Sequence, residues 1–385
     1  MTTQILDHSP AGSGGSPSSG RESFLAGVIT VARLELRQRV RSTRWMVVLA
    51  VWTALLLLLT GLIRWSVLAA YDPTEAMVED QAARMEAGRT VFGIVVFLVL
   101  SLGALVVPAL TSTSINGDRA AGVLAMLQTT LLTPAQIVIG KLAAAWVVAL
   151  ALLVCALPDL AWAYAQGGTP VGRLVTVLAL LMVELLVVCA IGLGWSAITA
   201  RTSSSALLTY LTVALLGLGL PLAFALTVPL VSSLEKVTVR QFVYDSNGTT
   251  GSCVTTQETQ SVFHSERTWW LLAPSPFVIL ADASPRPSAG ASASDPLTLI
   301  RMGVREARLG RDPITDWCGP GATGGDTAAD YAAREARRDR DRERLGVAWP
   351  YGLAVNLLLG GGLTAVAARR LRTPARRLPR GTRIA

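Results

Sequence analysis

Long apolar runs alternate with short charge-rich segments along most of this chain. A helix needs roughly 20 residues to cross a hydrocarbon core about 30 Å thick. Six nearly uncharged runs are long enough, at about 45–63, 91–110, 142–165, 174–199, 206–231 and 347–367. The sixth is the weakest because it contains Pro350, Asn356 and three consecutive glycines, but neighbouring helices can satisfy freed backbone groups. The pattern predicts an all-α polytopic membrane protein with six transmembrane helices, the first five within 45–231.

The segments before the first run have a different composition. Residues 1–22 are rich in Ser, Gly and Pro and lack the apolar stretch of a signal peptide, so they are expected to form a disordered cytoplasmic tail. Residues 23–44 are expected to form an amphipathic helix on the membrane surface. In the whole chain 16% of residues are charged, against about a quarter in soluble domains. Composition therefore agrees with the membrane class.

Arginines flank both ends of the predicted bundle. Those before the first run are Arg33, Arg37, Arg39, Arg41 and Arg44, and those after the last are Arg369, Arg370, Arg372, Arg376, Arg377, Arg380 and Arg383. Positive residues stay on the cytoplasmic side. We therefore expect a multi-pass protein of the plasma (cytoplasmic) membrane with both termini cytoplasmic and a basic tail at 368–385. The net charge of +8 then reflects topology and attraction to anionic lipid, and no nucleic-acid partner is expected.

By the same alternation, residues 232–346 form a large extracytoplasmic loop between helices five and six. Residues 331–345 are predicted to be a solvated charged helix, and 288–295 and 319–325 are small-residue linkers. The apolar run 269–280 is too short to span, so it is either a re-entrant or interfacial segment or a contact buried within the loop. Cys253 and Cys318 lie in this loop, where an oxidising environment would favour a disulfide between them.

The sequence contains no motif for catalysis, metal binding or phosphate binding. We expect no enzyme activity, no directly bound cofactor and no metal site, so any ATP must be used by a partner chain. Two acids, Asp159 and Glu184, lie within predicted spans. A charge within the bilayer is costly. These residues therefore either line a substrate or proton path or make structural polar contacts, and the sequence leaves both open.

Residues 113–141, between spans two and three, form the most informative segment. Apolar residues recur at helical spacing at Val123, Leu124, Leu127 and Leu131, which indicates an amphipathic helix. Thr133-Pro134 is typical of a helix N-cap followed by the first helical residue. A cytoplasmic helix between two spans is suited to docking a soluble partner.

This segment resembles the permeases of the ABC-2 type transporter family. Their pattern is an acid-Arg pair and a Gly-Thr-x-Glu-Leu-Leu stretch, then Thr-Thr-Pro-Leu-Ser, then Ile-x-x-Gly-Lys leading into a span. The matching residues are Asp118, Arg119, Gly122, Leu124, Thr129, Thr130, Leu132, Thr133, Ile137, Gly140 and Lys141. The departures are Val123, Ala125 and Leu131, of which Ala125 removes a glutamate. The N-terminal Arg-rich helix and the Pro-Ser-Pro-Phe region at 274–277 also resemble the family.

The resemblance implies the permease subunit of an ABC exporter, paired with a second copy or a paralogous permease and powered by separate ATP-binding subunits. It implies ATPase coupling at Asp118, Arg119, Gly122, Leu127, Thr130, Thr133, Gly140 and Lys141, and membrane lipid as a further partner. Two alternatives are a membrane scaffold or assembly factor and a proton-coupled secondary transporter using Asp159 and Glu184.

Overall fold

The computed structural model describes residues 18–40, 43–69, 77–122, 132–244, 251–285, 295–310, 314–318 and 327–372. Several expectations lie outside these residues. They are the tail at 1–17, the helix expected around 123–131 with Leu127 and Thr130, the linkers at 288–294 and 319–325, and the basic tail from 373 onward.

The described chain is mainly helical. The first helices are α1 (Ser18–Val40), α2 (Thr43–Ala69), α3 (Met77–Thr111), α4 (Ser114–Ala120), α5 (Pro134–Ala165) and α6 (Val171–Ile198). Then follow α7 (Thr202–Ala214), a π-helical turn (Leu215–Gly219), α8 (Leu220–Thr227) and a 3-10 turn (Val228–Val231). The outer part contains β1 (Ser232–Tyr244), β2 (Gly251–Phe263), two 3-10 turns (Ser265–Arg267, Trp269–Leu271), α9 (Pro276–Ala283), α10 (Pro296–Leu309), β3 (Ile314–Asp316) and α11 (Ala328–Arg344). The last helix is α12 (Trp349–Arg370).

Among the described residues, six helical stretches are long and apolar enough to cross a membrane, as predicted. They are Trp45–Ser66, Arg84–Ala120, Pro134–Ala165, Val171–Ile198, Thr202–Val231 and Trp349–Arg370. Most extend beyond the apolar runs because a helix continues into its polar flanks. One boundary differs from the prediction. Residues 18–22 are expected to belong to the disordered tail, but they are helical because α1 begins at Ser18. These six helices make the chain a multi-pass α-helical membrane protein.

The core of the bundle lies among α3, α5 and α6. Phe92, Leu100, Leu152, Leu181 and Leu185 are almost fully buried in one continuous cluster. In contrast, α2 and the α7–α8 stretch bury little of their surface within the chain. These two helices therefore have the largest faces available to lipid or to another subunit.

A π-helical turn interrupts the fifth span at Leu215–Gly219. Pro221 has no backbone N–H to donate to the carbonyl four residues earlier, which belongs to Gly217. The Ser275 hydroxyl lies 3.5 Å from that Gly217 carbonyl and donates to it. The irregular turn is thus compensated by the segment that returns from the outer loop.

The two ends of the bundle carry different elements. One end is here called the α1 end, because α1 lies against α5 there. A buried cluster at this end contains residues from α4, the start of α5, the end of α6 and the last turn of α12. At the other, the hairpin end, α9 and α10 pack against α3, α6 and α12. The described chain begins and ends at the α1 end, as an even number of spans requires.

The outer loop contains a three-stranded sheet, so the all-α expectation is wrong for this region. Strands β1 and β2 form an antiparallel hairpin from Ser232↔Phe263 to Tyr244↔Gly251, and β3 pairs in parallel with β1. The sequence contains the signal for it. A β-branched stretch around Val237–Val239 and a second around 254–256 flank Asn247-Gly248, a typical hairpin turn dipeptide. The charged helix predicted at 331–345 is present as α11, with bounds Ala328–Arg344.

A disulfide joins Cys253 on β2 to Cys318, just after β3, with 6.0 Å between the Cα atoms. We expect the Cys253→Ser variant to lower the stability of the segment 232–346 by about 2–4 kcal/mol, because the bond closes a long loop in the unfolded chain. Limited proteolysis of this segment with and without reductant measures the effect. Cys155→Ser on α5, in the third span, is the control, and equal protease resistance of the two variants would contradict the expectation.

The apolar run after the hairpin is buried in the bundle. Ile279 and Leu280 on α9 are fully buried within the main core cluster, and the rings of Phe277 and Phe97 lie 5.2 Å apart. Asp282 accepts hydrogen bonds from the backbone N–H groups of Ala348, which precedes α12, and of Trp349, its first residue. It also pairs with Arg305 on α10. Of the two possibilities left open by the sequence, the geometry fits a segment that re-enters among the helices.

Candidate functional site

The α1 end contains a buried cation between two acids. Lys141 on α5 is 2% exposed, and its ammonium group pairs with Glu35 of α1 and Asp118 of α4. It also donates to the Ser114 carbonyl at 3.4 Å. An ammonium group has three donors, and here each has an acceptor. This group of residues, called the Lys141 cluster, therefore ties α1 and α4 to a membrane-spanning helix.

Beside this cluster, α1 lies in direct contact with α5 because a glycine allows it. A Cβ at Gly140 would lie 2.6 Å from the Val31 Cβ and 2.9 Å from the Val28 carbonyl oxygen. One turn earlier, the Gln136 amide donates to the carbonyls of Ser23 and Phe24. The absence of a side chain at Gly140 and the hydrogen bonds of Gln136 therefore both position α1 on the first turns of α5.

The start of α5 has the predicted cap. The Thr133 side chain accepts from the Gln136 backbone N–H, and Gln136 accepts in return from the Thr133 backbone N–H at 2.7 Å. Pro134 occupies the first helical position. This capping box fixes where α5 begins and holds Gln136 close to α1.

The short helix α4 is held from the other side by the end of α6. The Ser196 hydroxyl accepts from the backbone N–H groups of Ile115 and Asn116, at 3.0 and 3.1 Å. The Asn116 amide donates to Thr199 Oγ1 at 3.2 Å.

Sequence reasoning missed Glu35, Asn116 and Ser196. Glu35 could have been noticed as the single acid in an otherwise basic stretch of α1, whereas Ser196 carries no signal because serine is common in membrane helices.

The residues expected to couple to an ATPase separate into two groups. Gly140 and Lys141 are buried against α1, and Asp118 faces Lys141, so these three hold the site together from inside. The others are more accessible: Thr133 is exposed, Arg119 is partly exposed, and Gly122, with φ of 72°, has open space around it. A positive φ favours glycine, which explains its use where α4 ends.

The surface of α1 away from α5 carries both apolar and basic side chains. Leu25, Ile29, Leu34 and Val40 are exposed, and so are Arg33 and Arg37. At 3.6 residues per turn, Arg33 and Arg37 lie between Val40 and Leu34 around the helix axis, so these positions are not divided into an apolar face and a basic face. The amphipathic membrane-surface helix at 23–44 therefore stays a prediction.

Glu184 is fully buried between α6 and α12. The Asn356 amide donates to both of its carboxyl oxygens, at 3.3 and 3.1 Å, whereas Asn356 Oδ1 has no hydrogen-bond partner. Asn356, which weakened the sixth predicted span, is thus the partner of the acid in the fourth. Such a contact between spans matches the structural interpretation of Glu184.

We expect Glu184→Ala to destabilise the protein by about 1–3 kcal/mol, because it leaves the buried Asn356 amide without an acceptor. Glu184→Gln should be close to the wild type, since its amide can accept from Asn356 Nδ2 and donate to Oδ1. Thermal unfolding of the purified protein in detergent compares them. Equal destabilisation by both substitutions would contradict the structural interpretation and favour a role for the charge.

Asp159 is also buried, on α5 in the half towards the hairpin end. Thr60 on α2 hydrogen-bonds its carboxyl group, and its Oδ2 has no partner. One turn further, the Arg64 guanidinium lies over the Trp162 ring, 5.4 Å from its centroid. The structure does not bring Asp159 and Glu184 together through any hydrogen bond between described residues, so they do not form one site there.

At the hairpin end His264 lies within a chain of hydrogen bonds. Its Nε2 is 2.7 Å from Ser233 Oγ, and its Nδ1 is 2.7 Å from Glu266 Oε1. These contacts are like those of a Ser-His-acid triad. However, Glu235 Oε1 lies 3.0 Å from Ser233 Oγ and 3.2 Å from Nε2. A carboxylate beside the hydroxyl would repel a developing oxyanion, which needs donors. The arrangement therefore fits a link between the base of the hairpin and the 3-10 turn after it.

No family model matches this chain, and no curated protein matches it at a significant level. The geometry of the α1 end and the resemblance of residues 118–141 are therefore the two grounds for a functional proposal.

Proposed function

We propose that this chain is the permease subunit of an ABC exporter of the ABC-2 type. It would form the substrate path in the cytoplasmic membrane, as a homodimer or with a paralogous permease, and ATP would be hydrolysed by a separate subunit. The α1 end would face the cytoplasm. The arginines near that end and the disulfide at the opposite end support this orientation.

The observation that carries the proposal is the Lys141 cluster. A partner that pushes on α4 or α1 can move a membrane-spanning helix only if those elements are firmly attached to it. Ion pairs to Glu35 and Asp118 and the Ser196 hydrogen bonds provide this attachment to α5 and α6. The chain itself contains no phosphate-binding loop, so the energy would come from outside it.

The proposal also defines the chemistry of the docking face. The acids Glu35 and Asp118 are engaged by Lys141, whereas Arg33, Arg37 and Arg201 are exposed at the α1 end. The accessible charge of this end is therefore basic. We expect the matching face of the ATP-binding subunit to be acidic, and association to weaken as salt rises.

Co-purification with candidate ATP-binding subunits, together with measurement of ATP hydrolysis, tests the proposal. Ala120 is exposed on α4 and is not part of the Lys141 cluster. Ala120→Trp should therefore weaken association at least tenfold without affecting folding, and Asp339→Trp on α11 at the hairpin end is the control. If no ATP-binding subunit associates and transport follows a proton gradient, the chain is a secondary transporter instead. Association without transport would favour a scaffold.

A further inference from the structure

An apolar groove opens on the side of the bundle near the α1 end. It has a volume of about 390 Å³ and lies between α5 and α12, over α6. Val187 and Ala190 on α6 form its floor, and Gly360, Gly361 and Ala365 on α12 form one wall. The wall is low because these residues have little or no side chain. The groove is thus a site on the membrane-facing surface, on a different face of α5 from the one that α1 covers.

The groove has the dimensions and polarity of a site for a hydrocarbon chain. Its α12 wall extends from Leu357 to Ala368, which corresponds to about 16 Å of helix, or half of a hydrocarbon core. The lining is almost entirely aliphatic, and the hydroxyl of Thr364 is already bonded to the Gly360 carbonyl. No lining group therefore requires a polar ligand.

Positive charge lies at the end of the groove nearest the α1 end. Arg369 directly follows the lining residue Ala368, and Arg372 lies two residues beyond the end of α12; both are exposed. Among the described residues, no acid forms an ion pair with either arginine. An apolar groove ending at two arginines matches a molecule with an acyl chain and an anionic head group.

We propose that this groove is a binding site for an anionic phospholipid, with one acyl chain between α5 and α12 and the phosphate near Arg369 and Arg372. The site is independent of the proposed ATPase coupling, because it uses neither the Lys141 cluster nor α4. Its lipid would be a structural component of the protein at the boundary between two membrane-spanning helices.

Two neighbouring glycines provide a matched pair of variants. A Cβ at Gly361 or at Gly362 meets no atom within 4 Å, so the first carbon of a side chain fits at either position without a clash. Gly361 lines the groove and Gly362 does not. The experiment is native mass spectrometry of the full chain released from nanodiscs that contain equal phosphatidylglycerol and phosphatidylcholine. We expect the wild type and Gly362→Leu to retain phosphatidylglycerol, and Gly361→Leu to retain at least tenfold less.

The charge is tested separately. Arg372→Gln should reduce the preference for phosphatidylglycerol over phosphatidylcholine about fivefold, whereas Arg344→Gln at the hairpin end should not. Equal retention by both leucine variants would overturn the proposal. The proposal would also be overturned if Gly361→Leu retained as much phosphatidylglycerol as the wild type but no longer formed a dimer. The groove would then hold a second copy of the chain. Ala365→Leu, a second groove-filling variant, decides the matter if Gly361→Leu does not fold.

Discussion

Replacing Lys141 with methionine is expected to detach α1 from the bundle and to destabilise the protein by about 3 kcal/mol. Lys141 is 2% exposed and neutralises Glu35 and Asp118. Removing one partner of a buried ion pair leaves uncompensated charge and costs about 3–5 kcal/mol. The lower value applies here because both carboxylates retain some contact with water, with side chains 15% and 26% exposed.

Thermal unfolding in detergent measures the loss of stability, and trypsin cleavage at Arg33 and Arg37 reports the release of α1. The control is a triple variant in which Lys141→Met is combined with Glu35→Gln and Asp118→Asn. It should recover most of the stability, since neutral groups of similar size need no compensation. If Lys141→Met were as stable and as trypsin-resistant as the wild type, the cluster would not hold α1.

The second large effect is expected at Gly352, where α12 meets the re-entering segment. A Cβ at this position would lie 1.8 Å from the Ala273 carbonyl oxygen and 2.9 Å from an Ile279 side-chain carbon. Backbone cannot move aside as a flexible side chain can. Gly352→Leu should therefore separate α12 from α9 and lower stability by about 3 kcal/mol or more, the upper part of the range for overpacking.

Gly362→Leu on the same helix is the matched control, because a Cβ there meets nothing within 4 Å. The two variants add the same side chain to the same helix and differ only in what it contacts. Their thermal unfolding midpoints in detergent should therefore diverge by several degrees. Equal midpoints would show that α9 does not pack against α12 in the way described.

The sequence predicted the helices much better than it predicted the outer loop. A membrane span carries a strong local signal, because every residue over about 20 positions must be compatible with hydrocarbon. A two-stranded hairpin has a weaker signal, because alternate residues face solvent. Thus composition is enough to predict the first span at 45–63, which is observed as Trp45–Ser66. It does not predict β1 and β2, although the Asn247-Gly248 dipeptide lies between them.

The residues of the candidate site show the same division at the level of single contacts. Thr133 and Pro134 were recognised correctly, since a capping box depends only on residues three positions apart. Lys141 belongs to the residues for which the resemblance implies ATPase coupling, and the resemblance says nothing of its burial. Its partners are 106 and 23 residues away in the chain, so no local pattern could show that it is buried between them.

By itself, the sequence determined the membrane class of this protein and the positions of the six spans found among the described residues, and its arginine distribution predicts their orientation. These properties follow from hydropathy and charge, which act on each segment separately. Only the tertiary structure decided that Glu184 meets Asn356, that Lys141 links α1 and α4 to α5, and that the outer apolar run enters the bundle. These contacts depend on which helices become neighbours, and that is determined by packing over the whole chain.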